Sequence, residues 1–284
     1  MKPCISQATT LSTSFEADLR AYGRSGWTAV ELWLTKLEDY LADHSIKEAR
    51  TLLAAEGLKP VAAASQGGLL LSRGAEREAH WNHFQRRLEL LGELEVPVLI
   101  VVADFIRELA SDDFGRAVES LQDAAARAGK FGVKLALEFQ KGASFCASLD
   151  TTLALIGQCE PATGLGVCLD LFHYYTGPSK FEDLAYLNQD NLGWVQVCDL
   201  AGTPRELAGD GDRILPGDGD FQIDPILDHL ERIGYTGYVS LEVLNPQLWQ
   251  IPADRVADAA FQALSRVLGS RLSEGAPPAP SEGD

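Results

Sequence analysis

Eight short runs of apolar and β-branched residues alternate along this chain with longer amphipathic segments. These runs are candidate strands, at 4–8, 29–33, 59–65, 96–103, 133–139, 166–172, 193–199 and 237–243. Strands that alternate with helices are typical of a parallel sheet covered by helices. Because eight such units follow one another without a break at the centre, the sequence predicts an α/β fold, a single (β/α)8 TIM barrel.

The segments between the candidate strands carry apolar residues three and four positions apart, as in amphipathic helices. The predicted helices span 16–26, 75–94, 112–130, 148–158, 181–189, 224–235 and 253–270. Ser148 is a predicted N-cap, and Gly129 with Lys130 is a predicted C-terminal cap. We expect the barrel over residues 1–272, followed by a disordered, acidic, Pro/Gly-rich tail at 273–284.

The composition argues against several classes of protein. The formal net charge of −17 argues against nucleic-acid binding, which needs basic patches. The five cysteines form no CxxC pair, which argues against a disulfide framework or a structural zinc site. The N-terminus lacks the pattern of a signal peptide, and no apolar run approaches the ~18 residues of a membrane span. We therefore expect a cytoplasmic protein.

Four of the later strands carry a polar side chain at or near the carboxyl end, where barrel enzymes place their active sites. These side chains are Glu138, Asp170, Gln196 and Glu242. Three converging carboxylates would repel one another unless protons or a cation compensate them. Carboxylate and amide oxygens suit a hard divalent ion, so we expect Mg²⁺ or Mn²⁺ ahead of Zn²⁺ or Co²⁺. Taken singly, each carboxylate could instead cap a helix or form an ion pair.

Other polar and aromatic residues are weaker candidates for the same pocket. His173 follows Asp170 by three residues, and an imidazole with a pKa near 6.5 can transfer protons at neutral pH. A satisfied core or loop histidine is the alternative. Glu31 and Trp33 end the second strand and Asp199 ends the seventh, and all three are candidate substrate contacts. Core packing equally explains Trp33, and a cap of the following loop equally explains Asp199.

The sequence resembles the xylose isomerase-like TIM-barrel superfamily, the sugar phosphate isomerase/epimerase group. The matching segments are LALEF (135–139), LDLFH (169–173), VQVCD (195–199), DRILPGDGDFQ (212–222) and YVSLEV (238–243). The N-terminal half matches only loosely, through AVELW (29–33). The group includes inosose isomerases and dehydratases, ketose 3-epimerases and 3-dehydroshikimate dehydratases.

The resemblance implies a set of metal ligands. Residues at these strand ends hold one divalent metal in the family, so the ligands here would be Glu138, Asp170, Gln196 and Glu242. Gln196 departs from the histidine that most members carry. Its amide oxygen would give a harder, all-oxygen site. The departure also argues against the endonuclease branch, which needs a histidine-rich trinuclear zinc site.

The resemblance further implies roles in catalysis. Glu138 and Glu242 would exchange a proton beside a carbonyl, while His173 and Arg213 would contact the substrate; a surface ion pair is the alternative for Arg213. We therefore expect a metal-dependent isomerase or epimerase of a small keto-sugar or cyclitol, acting through an enediolate. Gln196 and His173 also suit a dehydratase (lyase) of 3-dehydroshikimate or a keto-cyclitol. A non-catalytic sugar- or metal-binding barrel is the third hypothesis. The resemblance implies a homodimer or homotetramer.

Overall fold

Eight parallel strands form the centre of the computed structural model, which describes residues 1–105, 108–160 and 164–272. They are β1 (Lys2–Ser6), β2 (Ala29–Trp33), β3 (Lys59–Gln66), β4 (Val98–Val102), β5 (Lys134–Glu138), β6 (Leu165–Asp170), β7 (Leu192–Val197) and β8 (Tyr238–Leu241). Neighbouring strands pair in chain order, and β8 pairs with β1, which closes the sheet. The predicted TIM barrel is therefore confirmed. The predicted tail at 273–284 lies outside the described residues.

Nine α-helices cover this barrel in the described ranges. They are α1 (Phe15–Arg24), α2 (Leu34–Leu41), α3 (Ile46–Ala55), α4 (Gly74–Glu93), α5 (Asp113–Gly129), α6 (Leu149–Ile156), α7 (Leu171–Thr176), α8 (Ile223–Arg232) and α9 (Ala253–Leu268). The predicted helix at 181–189 is a 3₁₀ helix over Phe181–Tyr186. None of the helices in these ranges has both the length and the apolarity that crossing a membrane requires.

Three helices were not predicted, and two details differ. Helices α2 and α3 are short, and α7 begins inside the run assigned to the sixth strand. Strand β1 lies two residues earlier than predicted, because residues 7–10 form a 3₁₀ helix. Ser148 occupies the N-cap of α6, but its hydroxyl contacts the side chains of Asp150 and Thr151 rather than a backbone N–H.

Side chains of alternating strand positions enter two separate apolar clusters. Leu135 and Leu137 belong to the larger cluster, which includes the buried helix residues and lies between sheet and helices. Ala136 and Cys168 belong to a smaller cluster formed by strand residues inside the barrel. The interior side chains are mostly small, which leaves room for polar groups at the carboxyl ends of the strands.

Strands β5, β6 and β7 approach closely at two glycines. A Cβ atom on Gly166 would lie 2.6 Å from the nitrogen of Gly193, and one on Gly193 would lie 3.1 Å from the Cβ of Ala136. The absence of side chains at these positions therefore permits the strand spacing in this part of the barrel.

Replacing Gly166 by alanine should lower the free energy of unfolding by about 1–3 kcal/mol, because backbone must shift to admit the methyl group. Gly115→Ala is the matched control: nothing lies within 4 Å of the added Cβ in α5. Alanine there should raise stability by up to about 1 kcal/mol. Urea unfolding measures both changes, and a Gly166→Ala protein as stable as the wild type would contradict the packing argument.

Candidate active site

Four carboxylates and one guanidinium are buried near the carboxyl ends of the strands. Glu138 and Asp170 end β5 and β6, Glu242 follows β8, and Glu31 lies within β2. None of the four is more than 5% exposed. Arg213 comes from the connection between β7 and α8 and is 2% exposed. Buried carboxylates are costly unless cations, hydrogen bonds or protons compensate them, so this composition determines the chemistry of the site.

Arg213 supplies the positive charge next to Asp170. Its Nη1 donates to Asp170 Oδ2 at 2.7 Å and to Glu242 Oε2 at 3.1 Å, while Nη2 donates to Asp210 Oδ1 at 3.1 Å. The guanidinium carbon lies 4.4 Å from the centre of the Phe172 ring. Burial alone would lower the pKa of Arg213, but Asp170 and Glu242 raise it well above its ordinary value. The alternative of a surface ion pair is therefore wrong.

Both carboxylate oxygens of Asp170 accept hydrogen bonds. Oδ2 accepts from Arg213, and Oδ1 accepts from the backbone N–H of His173 at 2.9 Å, which makes Asp170 the N-cap of α7. Burial opposes ionisation, but Arg213, His173 and these hydrogen bonds hold the pKa of Asp170 below its ordinary value. The residue therefore forms an ion pair and caps a helix, as well as standing in the proposed ligand set.

The two glutamates of the site differ in their hydrogen bonds. Glu242 accepts from Gln196 Nε2 at 2.9 Å, from Ser6 Oγ at 3.5 Å and from Arg213. The carboxylate of Glu138 lies 3.5 Å from Nε2 of His173. Burial raises the pKa of both glutamates well above the ordinary value. Glu138 is thus the less constrained of the two.

His173 is 4% exposed and lies between Glu138 and Arg213. Its Nδ1 accepts from the backbone N–H of Lys141 at 3.5 Å, and its Nε2 lies 3.4 Å from Arg213 Nη2. Because Nδ1 accepts from Lys141, we assign the proton of the neutral ring to Nε2, which can donate to Glu138; the contact with Arg213, which can only donate, is then no hydrogen bond. Burial, offset in part by Asp170 and reinforced by Arg213, lowers the pKa of His173 to about 4. The imidazole is neutral at pH 7.

The amide of Gln196 presents its nitrogen to the carboxylates. Nε2 donates to Glu31 Oε1 and to Glu242 Oε1, both at 2.9 Å, while the amide oxygen accepts from Cys168 Sγ at 3.1 Å. Trp194 Nε1 donates to Glu31 Oε2 at 2.7 Å. The sequence predicts that the amide oxygen of Gln196 binds a metal. In the observed orientation this oxygen faces Cys168, so ligation would require the amide group to turn over. Glu31 is fully buried in this network and does not line the cavity.

The site fits a divalent cation. Glu138, Asp170 and His173 offer ligand atoms that all lie within 4.8 Å of one another. Even with Arg213 charged, the carboxylates leave excess negative charge, and repulsion from Asp170 adds to the raised pKa of Glu138. Divalent cations accept carboxylate oxygens together with an imidazole nitrogen.

A cavity of about 210 Å³ opens onto these groups. Its walls include the predicted residues Glu138, His173, Arg213, Glu242 and Trp33. They also include residues that the sequence analysis missed, among them Ser65, Phe105, Gln140 and Asp210. Ser65 is the penultimate residue of β3, Gln140 follows β5, and the other two lie in connecting segments without a recognisable spacing. Only the positions of Ser65 and Gln140 near strand ends could therefore have indicated them.

Asp199 lies outside the cavity and organises the loop that carries Arg213. Its carboxylate accepts the backbone N–H groups of Leu200, Gly217 and Phe221 at 2.9, 3.0 and 2.9 Å. A Cβ on Gly219 would lie 2.4 Å from Asp199 Oδ1, so the loop folds tightly around this side chain. The structure thus gives Asp199 the role of a loop cap rather than the predicted contact with substrate.

A family model described as xylose isomerase-like TIM barrel matches residues 19–267. The chain belongs to the xylose isomerase-like TIM-barrel family. The match includes the strands from β2 to β8 and all four buried carboxylates. The resemblance noted from five short segments is therefore confirmed.

Relatives with stated activities cover nearly all of the chain. The inosose isomerase of Halalkalibacterium halodurans is 28% identical over 281 residues, covering 96% of this chain and 98% of that protein. The 3-dehydroshikimate dehydratase of Pseudomonas aeruginosa is 26% identical over 83% of this chain but only 37% of that protein. The crystal structure of IolI protein with a binding zinc atom has a TM-score of 0.89 at 24% identity, covering 96% and 100% of the two chains. This structural likeness shows a shared fold.

Asp199→Ala should lower the free energy of unfolding by about 2–5 kcal/mol, because three backbone N–H groups lose their acceptor. The same change should displace Arg213, which the loop carries. Asp220→Ala is the matched control, since Asp220 is exposed in the same loop and its removal should cost less than about 0.5 kcal/mol. Equal urea midpoints for the two variants would contradict the role of Asp199.

The His173 imidazole should titrate near pH 4 in the metal-free protein, well below the ordinary 6.5, because burial disfavours its charged form. Between these values the unfolded state binds a proton that the folded state does not. This residue therefore makes the folded state less stable as the pH falls. Nitrogen-15 spectra of histidine-labelled protein, assigned with His173→Gln, give the midpoint and tautomer. A midpoint near 6.5 would contradict the burial argument.

Proposed function

We propose that this chain is an enzyme that moves a proton at a carbon next to a carbonyl group, an isomerase of a small keto-cyclitol or keto-sugar. The observation that carries the proposal is one cavity lined by Glu138, Glu242, a neutral His173 and the charged Arg213. The inosose isomerases, which match over nearly their whole length, support this choice of substrate class.

We infer that a divalent cation completes the site. Glu138, Asp170 and Glu242 would hold it, with the turned amide of Gln196 as the fourth protein ligand. Such a cation polarises a bound carbonyl group and stabilises negative charge on its oxygen. This set of oxygen ligands favours Mg²⁺ or Mn²⁺.

We assign the transfer of the carbon-bound proton to Glu138. It borders the cavity, and its carboxylate faces the neutral imidazole of His173 rather than a permanent cation. Burial raises the pKa of Glu138 well above its ordinary value, which makes its carboxylate a stronger base toward a carbon-bound proton. Glu242 is held by three donors instead. This asymmetry favours a one-base isomerisation, in which Glu138 returns the proton to the neighbouring carbon, over an epimerisation that uses two equivalent bases.

Arg213 and His173 act on the oxygen atoms of the substrate in this scheme. The guanidinium of Arg213 stays charged and lines the cavity, so it can stabilise the negative charge that develops on the carbonyl oxygen. His173 carries a proton on Nε2 and can exchange it with a substrate oxygen. The hydroxyl proton of the substrate can thereby move to the former carbonyl oxygen, while Glu138 moves the carbon-bound proton in the same direction, to the former carbonyl carbon.

A dehydratase is the second candidate, and His173 is the observation that favours it. A neutral imidazole with a proton on Nε2 can protonate a hydroxyl group as it leaves. The 3-dehydroshikimate dehydratases among the relatives support this alternative. Product analysis separates the two reactions, because an isomer keeps the mass of its substrate and a dehydration product has lost one water.

Protein loaded with Mg²⁺, Mn²⁺ or Zn²⁺ should incorporate deuterium from D₂O beside the carbonyl of scyllo-inosose, and a chelator should abolish this exchange. Glu138→Gln should reduce the exchange rate by about 10²–10⁴-fold, because the base is lost. Glu78→Gln, at an exposed position of α4, is the matched control and should not change the rate. Proton NMR follows both exchange and product.

The proposal fails if no loaded form exchanges a proton of inososes, keto-sugars or 3-dehydroshikimate. Calorimetry with the same compounds would then show whether the barrel binds a sugar without turning it over. Exchange that survives Glu138→Gln would instead move the assignment of the base to another residue.

A further inference from the structure

We propose that the substrate carries a second, neutral and hydroxyl-rich ring, which binds in a cavity beside the catalytic one. This neighbouring cavity, called the annex below, lies between the end of β3 and helix α4 and has a volume of about 460 Å³. Its walls include Gln66, Gly68, Glu76, His80, His83 and Phe105. The inference rests on the proposed function, because it names the substrate class of that same site.

The annex adjoins the catalytic cavity directly. Val102 and Phe105 line both. At the end of β3, Ser65 lines the catalytic cavity and Gln66, the next residue, lines the annex. The side chain of Phe105 is 64% exposed, so the boundary is an exposed ring rather than packed core. A ligand that leaves the catalytic cavity on this side therefore enters the annex.

The sizes of the two cavities point the same way. The catalytic cavity, at about 210 Å³, lies below the range of about 300–1,000 Å³ that is typical of ligand sites. With the annex included, the combined space falls within that range. A substrate of one ring would leave the larger part of the available space unused.

Hydrogen bonds hold the wall of the annex that α4 and the preceding loop form. The carboxylate of Asp104 accepts the backbone N–H groups of Gly68 and Leu71 at 2.8 and 2.6 Å. The ring of His80 packs against Gly68 so closely that a Cβ there would lie 2.4 Å from it. The annex is therefore a formed site that does not need to be opened by its ligand.

The described lining of the annex offers no cation that is free to bind an anion. Arg87 donates to both oxygens of Glu38 at 2.7 and 2.9 Å, and Nε2 of His83 lies 2.8 Å from the same carboxylate. Nε2 of His80 lies 3.6 Å from Glu76. A phosphate group needs cationic donors that are free to bind it. Arg87, the arginine among the described lining residues, is already paired with Glu38. The carboxylates of Glu76 and Asp104 also line the annex and would repel an anion, whereas they can accept hydrogen bonds from hydroxyl groups. Such acceptors, next to an exposed aromatic ring, suit the hydroxyl groups and the C–H face of a second, neutral sugar ring.

Glu76→Trp tests the annex by filling it. The Glu76 side chain is 75% exposed on the first turn of α4, so the larger ring should not disturb folding. Glu78→Trp is the matched control, because Glu78 is exposed on the same helix but does not line the annex. The probes are scyllo-inosose, with one ring, and 3-ketosucrose, with two. Deuterium exchange gives kcat/KM for each probe, and saturation-transfer NMR measures binding apart from turnover.

We expect the wild-type protein to prefer 3-ketosucrose, and Glu76→Trp to lower its kcat/KM and its binding by about ten-fold or more. The values for scyllo-inosose should not change in either variant.

Equal use of both probes with no effect of Glu76→Trp would overturn the annex and leave the proposed function intact. Tighter binding of fructose 6-phosphate than of 3-ketosucrose would also overturn it. If neither probe exchanges a proton, the proposed function fails, and the binding of 3-ketosucrose still decides the annex: loss in Glu76→Trp supports it, and absent or unchanged binding refutes it.

Discussion

Repulsion among buried carboxylates is the constraint on which the mouth of this barrel depends. Arg213 relieves it for Asp170, whose carboxylate stays ionised because a guanidinium lies 2.7 Å away. For Glu138 much of the repulsion remains, since its carboxylate faces a neutral imidazole and Arg213 offsets the burial and the repulsion only in part. A proton on one of the carboxylates, or a bound cation, can neutralise the remaining negative charge. Both states are useful to an enzyme that takes a proton from carbon.

The position of Arg213 in turn depends on residues that never touch the cavity. The guanidinium comes from a long connection rather than from a strand, and Asp199 holds that connection through three backbone N–H groups. The ring of Phe172 supports the guanidinium from the side. Backbone hydrogen bonding at the end of β7 thus determines where the positive charge of the active site lies.

The sequence predicted the barrel and the carboxylates well because both follow from short-range patterns. Alternating apolar runs specify a parallel sheet, and Glu138, Asp170 and Glu242 each stand at the end of such a run. The orientation of Gln196 could not be predicted, since it depends on Glu31, which is distant in the chain. The partner of Asp170 was equally hidden, because Arg213 arrives from a loop 43 residues away. Contacts between residues that are remote in sequence produce no characteristic spacing, so they cannot be predicted from a local motif.

The three-residue interval between Asp170 and His173 has a geometric origin. An N-cap side chain accepts the N–H of the third helical residue, and here that residue is His173. The turn that starts α7 therefore also sets the distance from the carboxylate to the imidazole. An insertion or deletion of one residue would break the cap and misplace the imidazole together. The stability of α7 and the position of the imidazole relative to the carboxylate consequently depend on the same interval, so a change of its length cannot alter one of them and preserve the other.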